Sequence, residues 1–433
     1  MKIKHHHCFR LVLILCLFLV LPGTAAHAQS ADPLRLQVEA AILVDGNSGK
    51  ILYTKNADEP LALASMTKIL TEYLILEQIK EKKLAWEQTT TISDYAYRIS
   101  QNLSLSNVPL RLDEKYTVRE LYEAMAIYSA NGATIALAEL VAGSESEFVR
   151  LMNNKAKEFG LKNYTFVNAT GLNNSDLLGM HPAGDRQAEN FASAKDVALL
   201  AFRILRDHPE VLTIASIPRK TFRPGSADAI KMDNWNWMLP ELVYGYEGVD
   251  GLKTGSTALA GYCFTATAER NKIRLISVVM KGRSYAGRFQ ETKKLLDYGF
   301  ANFEREELFP AGYQAPAQTS IPVQKGRAKT VGIATAKPLT ILIKRGESGR
   351  YQPRVELETE QLTAPVAKDQ AVGKMFVTYD GPEVEYLTPE GPELESVPLV
   401  TTEEIKKAGF FRLILQAIGT FFTWLVRQIR KLF

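Results

Sequence analysis

Cysteine is nearly absent. The chain holds three in 433 residues, and two of them, Cys8 and Cys16, fall in an N-terminal leader. Cys263 is then alone in Gly261-Tyr262-Cys263-Phe264, which excludes an internal disulfide, so the core must be stable without a covalent staple. A thiol on an apolar strand packs as a small hydrophobe rather than serving as a nucleophile. Histidine is scarce too: there are six, three of them at 5–7 in the same leader, so neither a metal nor any other cofactor is expected. A surplus of one charge is also lacking. The formal net charge of +4 is too small and too uneven for a nucleic-acid surface. There is no internal repeat and no low-complexity tract. What remains is the composition of an ordinary globular protein, 46% hydrophobic and 23% charged, in a chain long enough for two domains.

The two ends differ from the body. Lys2, Lys4 and Arg10 precede an apolar run from Leu11 to Leu21, and Ala26-His27-Ala28 offers small residues for cleavage. This reads as a secretory signal over 1–28; the run is short of the ~20 apolar residues a span needs. The bulky Leu15 before Cys16 argues against a lipoprotein site. At the other end, Arg412, Gln416, Thr420, Thr423, Arg427 and Arg430/Lys431 fall at steps of three or four in an otherwise apolar segment. A narrow polar stripe on an apolar helix is the pattern of an interfacial helix, expected over 403–433, and its basic residues suit an anionic bilayer.

Between the ends, Leu36 to Val44 alternates as a half-buried strand, the turn cluster Asp45-Gly46-Asn47-Ser48-Gly49 follows, and Lys50 to Tyr53 resumes a strand. Leu63-Ala64-Ser65-Met66-Thr67-Lys68 opens an apolar run with helical spacing. Thr117 and Glu120 form a capping box for a helix to about Tyr128; Ser144 and Glu147 form another, for a helix ending near Gly160. Residues 171–192 read as a long surface loop, and Ser193 begins a helix stopped by Pro209. Val249–Thr257, Gly261–Ala268 and Lys272–Lys281 read as strands, and Gly287–Asn302 as an amphipathic helix. After a Pro/Ala-containing linker, 310–318, only short strand-like runs remain. The domains expected are catalytic over 29–305 and all-β over 306–402.

Three short motifs carry chemistry. Ser65-x-x-Lys68 puts a hydroxyl and an amine on one helical face, roughly 5–6 Å apart at Cβ. A lysine in a partly dry cleft can lose its proton and act as base for the serine. Ser129-Ala130-Asn131 breaks two helices, although Ser100-Gln101-Asn102 is a competing match. Lys253-Thr254-Gly255 lies on a strand. Singly they are weak, since S-x-x-K arises about once or twice by chance in such a chain, while K-T-G is expected only ~0.1 times. Their order and setting give them weight, and together they are a known set for β-lactamases and penicillin-binding proteins.

With these motifs, and with Gly248-Val249-Asp250-Gly251-Leu252 before Lys253, the chain resembles the low-molecular-mass penicillin-binding proteins that are D-alanyl-D-alanine carboxypeptidases, serine peptidases with SxxK, SxN and KTG motifs. The resemblance implies an α/β catalytic domain, an antiparallel sheet packed with helices as in β-lactamases and transpeptidases, followed by a small all-β domain and a terminal amphipathic helix. It implies that Ser65 attacks the last peptide bond of a peptidoglycan stem pentapeptide and forms an acyl-enzyme, with Lys68 as base and Ser129 relaying a proton. Asn131 would hold the substrate amide, Lys253 supply positive charge, Thr254 bind the terminal carboxylate, and Gly255 admit the substrate strand. The N–H groups of Ser65 and Ser256 would form the oxyanion hole. β-Lactams would acylate Ser65, and the protein would be secreted and held at the outer face of the cytoplasmic membrane by its C-terminal helix. Two rivals fit less well. A β-lactamase would carry a Glu-x-x-Asn element and an Asp where Ala130 stands; a non-catalytic sensor would not need Ser65, Lys68 and Lys253 intact.

Overall fold

The central sheet is formed by β1 (Ala40–Asp45), β2 (Ile51–Lys55), β3 (Val249–Thr257), β4 (Gly261–Arg270) and β5 (Ile273–Gly282), ordered β3-β4-β5-β1-β2 with every pairing antiparallel. This is a computed structural model, and it describes residues 32–411 and, beyond them, 414, 418, 421, 422, 426, 428 and 429. The leader expected over 1–28 lies outside the described residues, as does every residue of the polar stripe of the C-terminal segment. Met1–Arg35 and Leu36–Phe433 are separate units, and the sheet and helices belong to the second.

All six residues of β1 are buried, not alternate ones. The alternation expected over Leu36–Val44 holds from Leu36 to Ala40 and gives way to full burial within β1, because the sheet is covered on both faces there. Ile42 and Val44 join the large core. Leu43 faces the helix α6 (Tyr285–Asn302), where Gly299 lies so close that a Cβ would stand 3.0 Å from Leu43 and 2.5 Å from Leu275. The other face meets α5 (Ala194–Asp207), and beyond it α1 (Lys68–Lys80), α2 (Val118–Tyr128), α3 (Asn131–Ala142) and α4 (Glu145–Phe159).

Local signals place several helix starts. Thr117 and Glu120 close the full capping box of α2, Ser144 accepts from Glu147 N at the start of α4, and Ser193 accepts from Asp196 N at the start of α5. Helix α1 differs. Every residue from Lys68 to Leu76 is buried, including Lys68, Thr71 and Glu72, so that part of the helix has no solvent face and runs through the core.

The C-terminal all-β domain holds β6 (Phe303–Phe309), β7 (Ser320–Gln324), β8 (Thr330–Thr335), β9 (Leu339–Lys344), β10 (Tyr351–Leu357), β11 (Leu362–Thr363), β12 (Ala371–Tyr379) and β13 (Val397–Thr401). A six-stranded sheet, β10-β12-β13-β8-β7-β11, packs with the β6-β9 pair around Ile321, Ile333, Ile341 and Met375. Residues 410, 411, 414, 418, 421, 422, 426, 428 and 429 are helical, and Phe410, Phe411, Phe421 and Phe422 among them are exposed. Among the described residues, no helix is long and apolar enough to cross a membrane.

One segment of the β domain returns to the catalytic sheet. Ile51 N donates to Glu385 O at 2.8 Å and Leu387 N donates to Gly49 O at 2.9 Å, so residues 385–387 pair with the chain at the start of β2. Lys50 is buried at this junction: its Nζ donates to Leu342 O at 2.9 Å and pairs with Glu395 at 2.8 Å, while Tyr386 OH donates to the other Glu395 oxygen at 2.6 Å. Removing one partner of a buried pair strands the other charge. Lys50→Met should therefore lower unfolding free energy by about 3–5 kcal/mol, and adding Glu395→Leu should recover most of the loss. Urea unfolding of the two variants checks this; equal midpoints for wild type and Lys50→Met would refute it.

Candidate active site

Ser65 does not sit on the α-helix itself. It lies in a 3₁₀ turn, Ala64–Thr67, which runs into α1 at Lys68. The expectation of a helical first turn is corrected, and the cause is crowding from two backbones. A Cβ on Gly171 would stand 1.9 Å from Ala64 O, and one on Gly255 would stand 2.7 Å from Leu63 O and 2.9 Å from Ser65 N. Strand β3 and the Gly171 loop thus press on the turn from two directions. In a 3₁₀ turn residues i and i+3 eclipse, and Lys68 Nζ reaches Ser65 Oγ at 3.1 Å. Gly255 is accordingly required by the packing of β3 against this turn, a reason different from the expected admission of a substrate strand.

Lys68 is fully buried and makes two further contacts, to Asn131 Oδ1 at 2.8 Å and Thr170 O at 2.7 Å. Both are oxygens that can only accept. A neutral amine has two N–H groups and one lone pair, so these two acceptors use both hydrogens and leave the lone pair aimed at the Ser65 hydroxyl. Asn131 Nδ2 donates to Ser106 O at 3.0 Å, which fixes the orientation of the carboxamide. Burial, and next the Lys253 charge, hold the Lys68 ammonium well below its usual range, against the pull of Glu72 and Glu145.

Ser129 ends α2 in the left-handed conformation, φ 59°, with Ala130 alone between it and the start of α3 at Asn131. This turn between two helices points its hydroxyl to Lys253 Nζ, 3.0 Å away. Lys253 also donates to Thr254 O at 3.2 Å, and burial depresses its ammonium to about 8, with Glu72 opposing and Arg288 adding to the shift. Two Ser–Lys pairs, Ser65–Lys68 and Ser129–Lys253, thereby meet in one place. The competing Ser100 spends its hydroxyl elsewhere: it donates to Tyr97 O at 2.7 Å and accepts from Leu110 N at 3.0 Å.

Ser65, Ser129, Thr254, Gly255, Ser256, Ser106, Trp235, Tyr285 and Arg288 line one cleft of about 60 Å³. Thr254 is buried and Ser256 exposed on the same strand. Several of these neighbours carry no motif and were not anticipated. Arg288 is 1% exposed, donates to Gly255 O at 3.3 Å, and lies over the rings of Tyr285 and Phe289. Its Nε has no hydrogen-bond partner, and burial lowers the guanidinium to about 10. A buried cation with a spare donor at the wall of a cleft is suited to an anion. Glu72, one helical turn past Lys68, is also buried; it accepts from Tyr122 OH at 3.3 Å, and burial pushes its carboxyl up to about 7 against the lysines. Residues 171–192, read as a surface loop, are buried at both ends, with Leu172, Glu189 and Asn190 inside. Cys263 is buried, its thiol pushed up to about 11 by burial, and it packs inside the sheet.

The arrangement can activate a hydroxyl for attack on a carbonyl. Because the Lys253 charge disfavours protonated Lys68, replacing it should let the Lys68 ammonium rise. The reactivity of Ser65 toward a neutral acylating ester should climb with pH in the wild type far below the ordinary lysine range. In Lys253→Met the midpoint of that climb should move to higher pH, whatever happens to its plateau. An unmoved midpoint would dissociate the two lysines.

Residues 25–284 match the D-alanyl-D-alanine carboxypeptidase family, and residues 303–407 match the C-terminal domain of penicillin-binding protein 5. The chain is 32% identical over 383 residues to the D-alanyl-D-alanine carboxypeptidase DacF of Bacillus subtilis, covering 88% of this chain and 90% of that one. A peptidoglycan synthesis regulatory factor, a penicillin-binding protein from Streptococcus pneumoniae, superimposes with a TM-score of 0.74 at 33% identity, over 86% of this chain and 100% of that one. Penicillin-binding protein D2 of Listeria monocytogenes, solved in its ampicillin-bound form, has a TM-score of 0.51 at 34% identity over 62% of this chain and 99% of that one.

Proposed function

The chain belongs to the D-alanyl-D-alanine carboxypeptidase family and is a serine carboxypeptidase, and from that premise we propose how its residues divide the reaction. Ser65 attacks the carbonyl of the penultimate D-alanine of a peptidoglycan stem pentapeptide. Lys68 takes its proton, and the N–H groups of Ser65 and Ser256 hold the oxyanion. Ser129, held by Lys253, relays that proton from Lys68 to the departing D-alanine; water then cleaves the ester, returns a hydrogen to the Ser65 oxygen and frees the enzyme. Asn131 positions Lys68 and offers its remaining amide hydrogen to the substrate backbone. Thr254 and Lys253 receive the terminal carboxylate, and Arg288, which no motif contains, joins them. β-Lactams occupy the same place and acylate Ser65. The observation that carries this reading is the pairing of each serine with its own buried lysine, Lys68 on Ser65 at 3.1 Å and Lys253 on Ser129 at 3.0 Å.

The experiment is a product analysis. A pentapeptide ending in D-Ala-D-Ala should lose one alanine, and Ser65→Ala should abolish both that loss and covalent labelling by penicillin. A pentapeptide amidated at its C-terminus should lose about 1.5–3 kcal/mol of transition-state binding, the worth of a charged hydrogen bond, seen in kcat/KM. Equal kcat/KM for acid and amide would remove Lys253, Thr254 and Arg288 from carboxylate recognition.

We assign the chain a secreted place, with the leader at 1–28, the catalytic domain at 29–305, the β domain at 306–402 and an interfacial anchor at 403–433 that holds the enzyme to the outer face of the cytoplasmic membrane. The exposed Phe410, Phe411, Phe421 and Phe422 support the anchor. Truncation before Ala408 should give an enzyme that no longer sediments with anionic vesicles and still cleaves a small soluble peptide. Salt should release the full chain only partly, because apolar burial is not screened. Vesicle binding by the truncated protein would place the anchor elsewhere.

A further inference from the structure

Lys68 and Lys253 are both buried, and the groups touching them are neutral oxygens: Ser65 Oγ, Asn131 Oδ1 and Thr170 O for the first, Ser129 Oγ and Thr254 O for the second. The roles proposed above need Lys68 neutral, to take a proton, and Lys253 charged, to receive a carboxylate. An ammonium buried among neutral oxygens lacks a compensating charge. Glu72 is placed to supply it. It lies four residues past Lys68 on α1, so the two share one helical face, and it is 4% exposed. Helix α1 packs against β3, the strand that carries Lys253. Tyr122 OH, on α2, donates to Glu72 Oε2 at 3.3 Å. Burial pushes the Glu72 carboxyl up to about 7, and the Lys253 charge is the first to oppose it, ahead of Tyr122 and Lys68.

The other neighbours of α1 turn their charges elsewhere. From α4, Glu145 accepts from Ala169 N and Tyr95 OH and acts on Lys68, while Lys155 pairs with Glu77. From α5, Asp207 and His208 meet Tyr73. Helix α3 brings the uncharged Asn131 and Thr134. Arg288, on α6, adds a second positive charge beside Lys253. We propose that ionised Glu72 is the counterion of Lys253 and thereby decides which of the two lysines holds the proton. The inference rests on the roles given above to Lys68 and Lys253. With Glu72 charged, Lys253 keeps its proton, and its positive charge in turn repels a proton from Lys68. Glu72 touches neither the substrate nor the reacting atoms, so it is a positioning residue. A negative charge raises the proton affinity of a neighbouring amine. Losing it lets Lys253 release its proton at lower pH, and the substrate carboxylate then meets a neutral amine.

The test is kcat/KM against pH, measured for a pentapeptide ending in D-Ala-D-Ala and for the same peptide amidated at its C-terminus. The proteins are the full-length wild type, Glu72→Gln, Glu72→Asp and Tyr122→Phe. Gln keeps the size of the side chain and an oxygen for Tyr122 OH. On the acid, activity should fall on the alkaline side as Lys253 gives up its proton, near pH 8 in the wild type. In Glu72→Gln that limb should move to lower pH, and above it kcat/KM should stand about tenfold below the wild type. The amide should show no such loss, because it offers Lys253 no carboxylate. Glu72→Asp keeps the charge and should return the limb toward its wild-type place. Tyr122→Phe removes a hydrogen bond that favours the ionised acid, and should move the limb the same way as Glu72→Gln and less far. A limb that stays in place in both Glu72→Gln and Tyr122→Phe overturns the inference. So does an equal loss on acid and amide in Glu72→Gln, the mark of a merely structural role. If the wild type itself cleaves acid and amide equally, the carboxylate role of Lys253 falls and this inference with it; a wild type that prefers the acid confines a failure to Glu72.

Discussion

Two lysines buried in one cleft repel each other and have almost no water to disperse their charge. That constraint organises the catalytic domain. Lys68 is fully buried and Lys253 is 3% exposed, so each has its affinity for a proton lowered, and they cannot both hold a charge cheaply. The fold answers with acceptors placed around each amine. Asn131 and Thr170 O take the hydrogens of Lys68, and Ser129 and Thr254 O take those of Lys253. Glu72 and Glu145 stand behind, themselves pushed up to about 7 by burial, and return part of the lost stability to the cations. From Lys68 to Leu76 helix α1 is buried on every side, and that stretch carries Lys68, Thr71 and Glu72 through this region.

Rigidity around Ser65 follows from backbone contacts rather than from side chains. The 3₁₀ turn is squeezed between β3 at Gly255 and the loop at Gly171, where no Cβ can be accommodated. The nucleophile is thus fixed by two distant segments at once, one from the sheet and one from the segment after α4. Such bracing keeps the hydroxyl oriented before substrate arrives, which is how a site saves reorganisation during reaction.

Much of the fold was legible where the signal is local. The cap at Thr117, the glycine that ends α4 at Gly160 and the serine that opens α5 are each set by a few neighbouring residues, and they fall where the sequence puts them. The Ser65–Lys68 spacing is local in the same way. What escaped is whatever depends on packing between remote segments. Alternation in Leu36–Val44 says nothing about a helix covering the second face, so the full burial of β1 was missed. The 3₁₀ turn depends on Gly171 and Gly255, far along the chain. Arg288 sits in an ordinary amphipathic pattern, and only the fold turns it toward the cleft.

The return of residues 385–387 to β2 has a consequence in time. The ribosome makes β1 and β2 first, yet the last hydrogen bonds of that sheet, Ile51 to Glu385 and Leu387 to Gly49, come from a segment made almost last. Pairings so remote in sequence form slowly, because a long loop must close before they reward it. Until then the β2 backbone stands open as a template on which another chain can add a strand. The start of β2 therefore gains its outer partner only after the neighbouring domain has folded, and a chain cut between the two would leave Gly49 O and Ile51 N without these bonds.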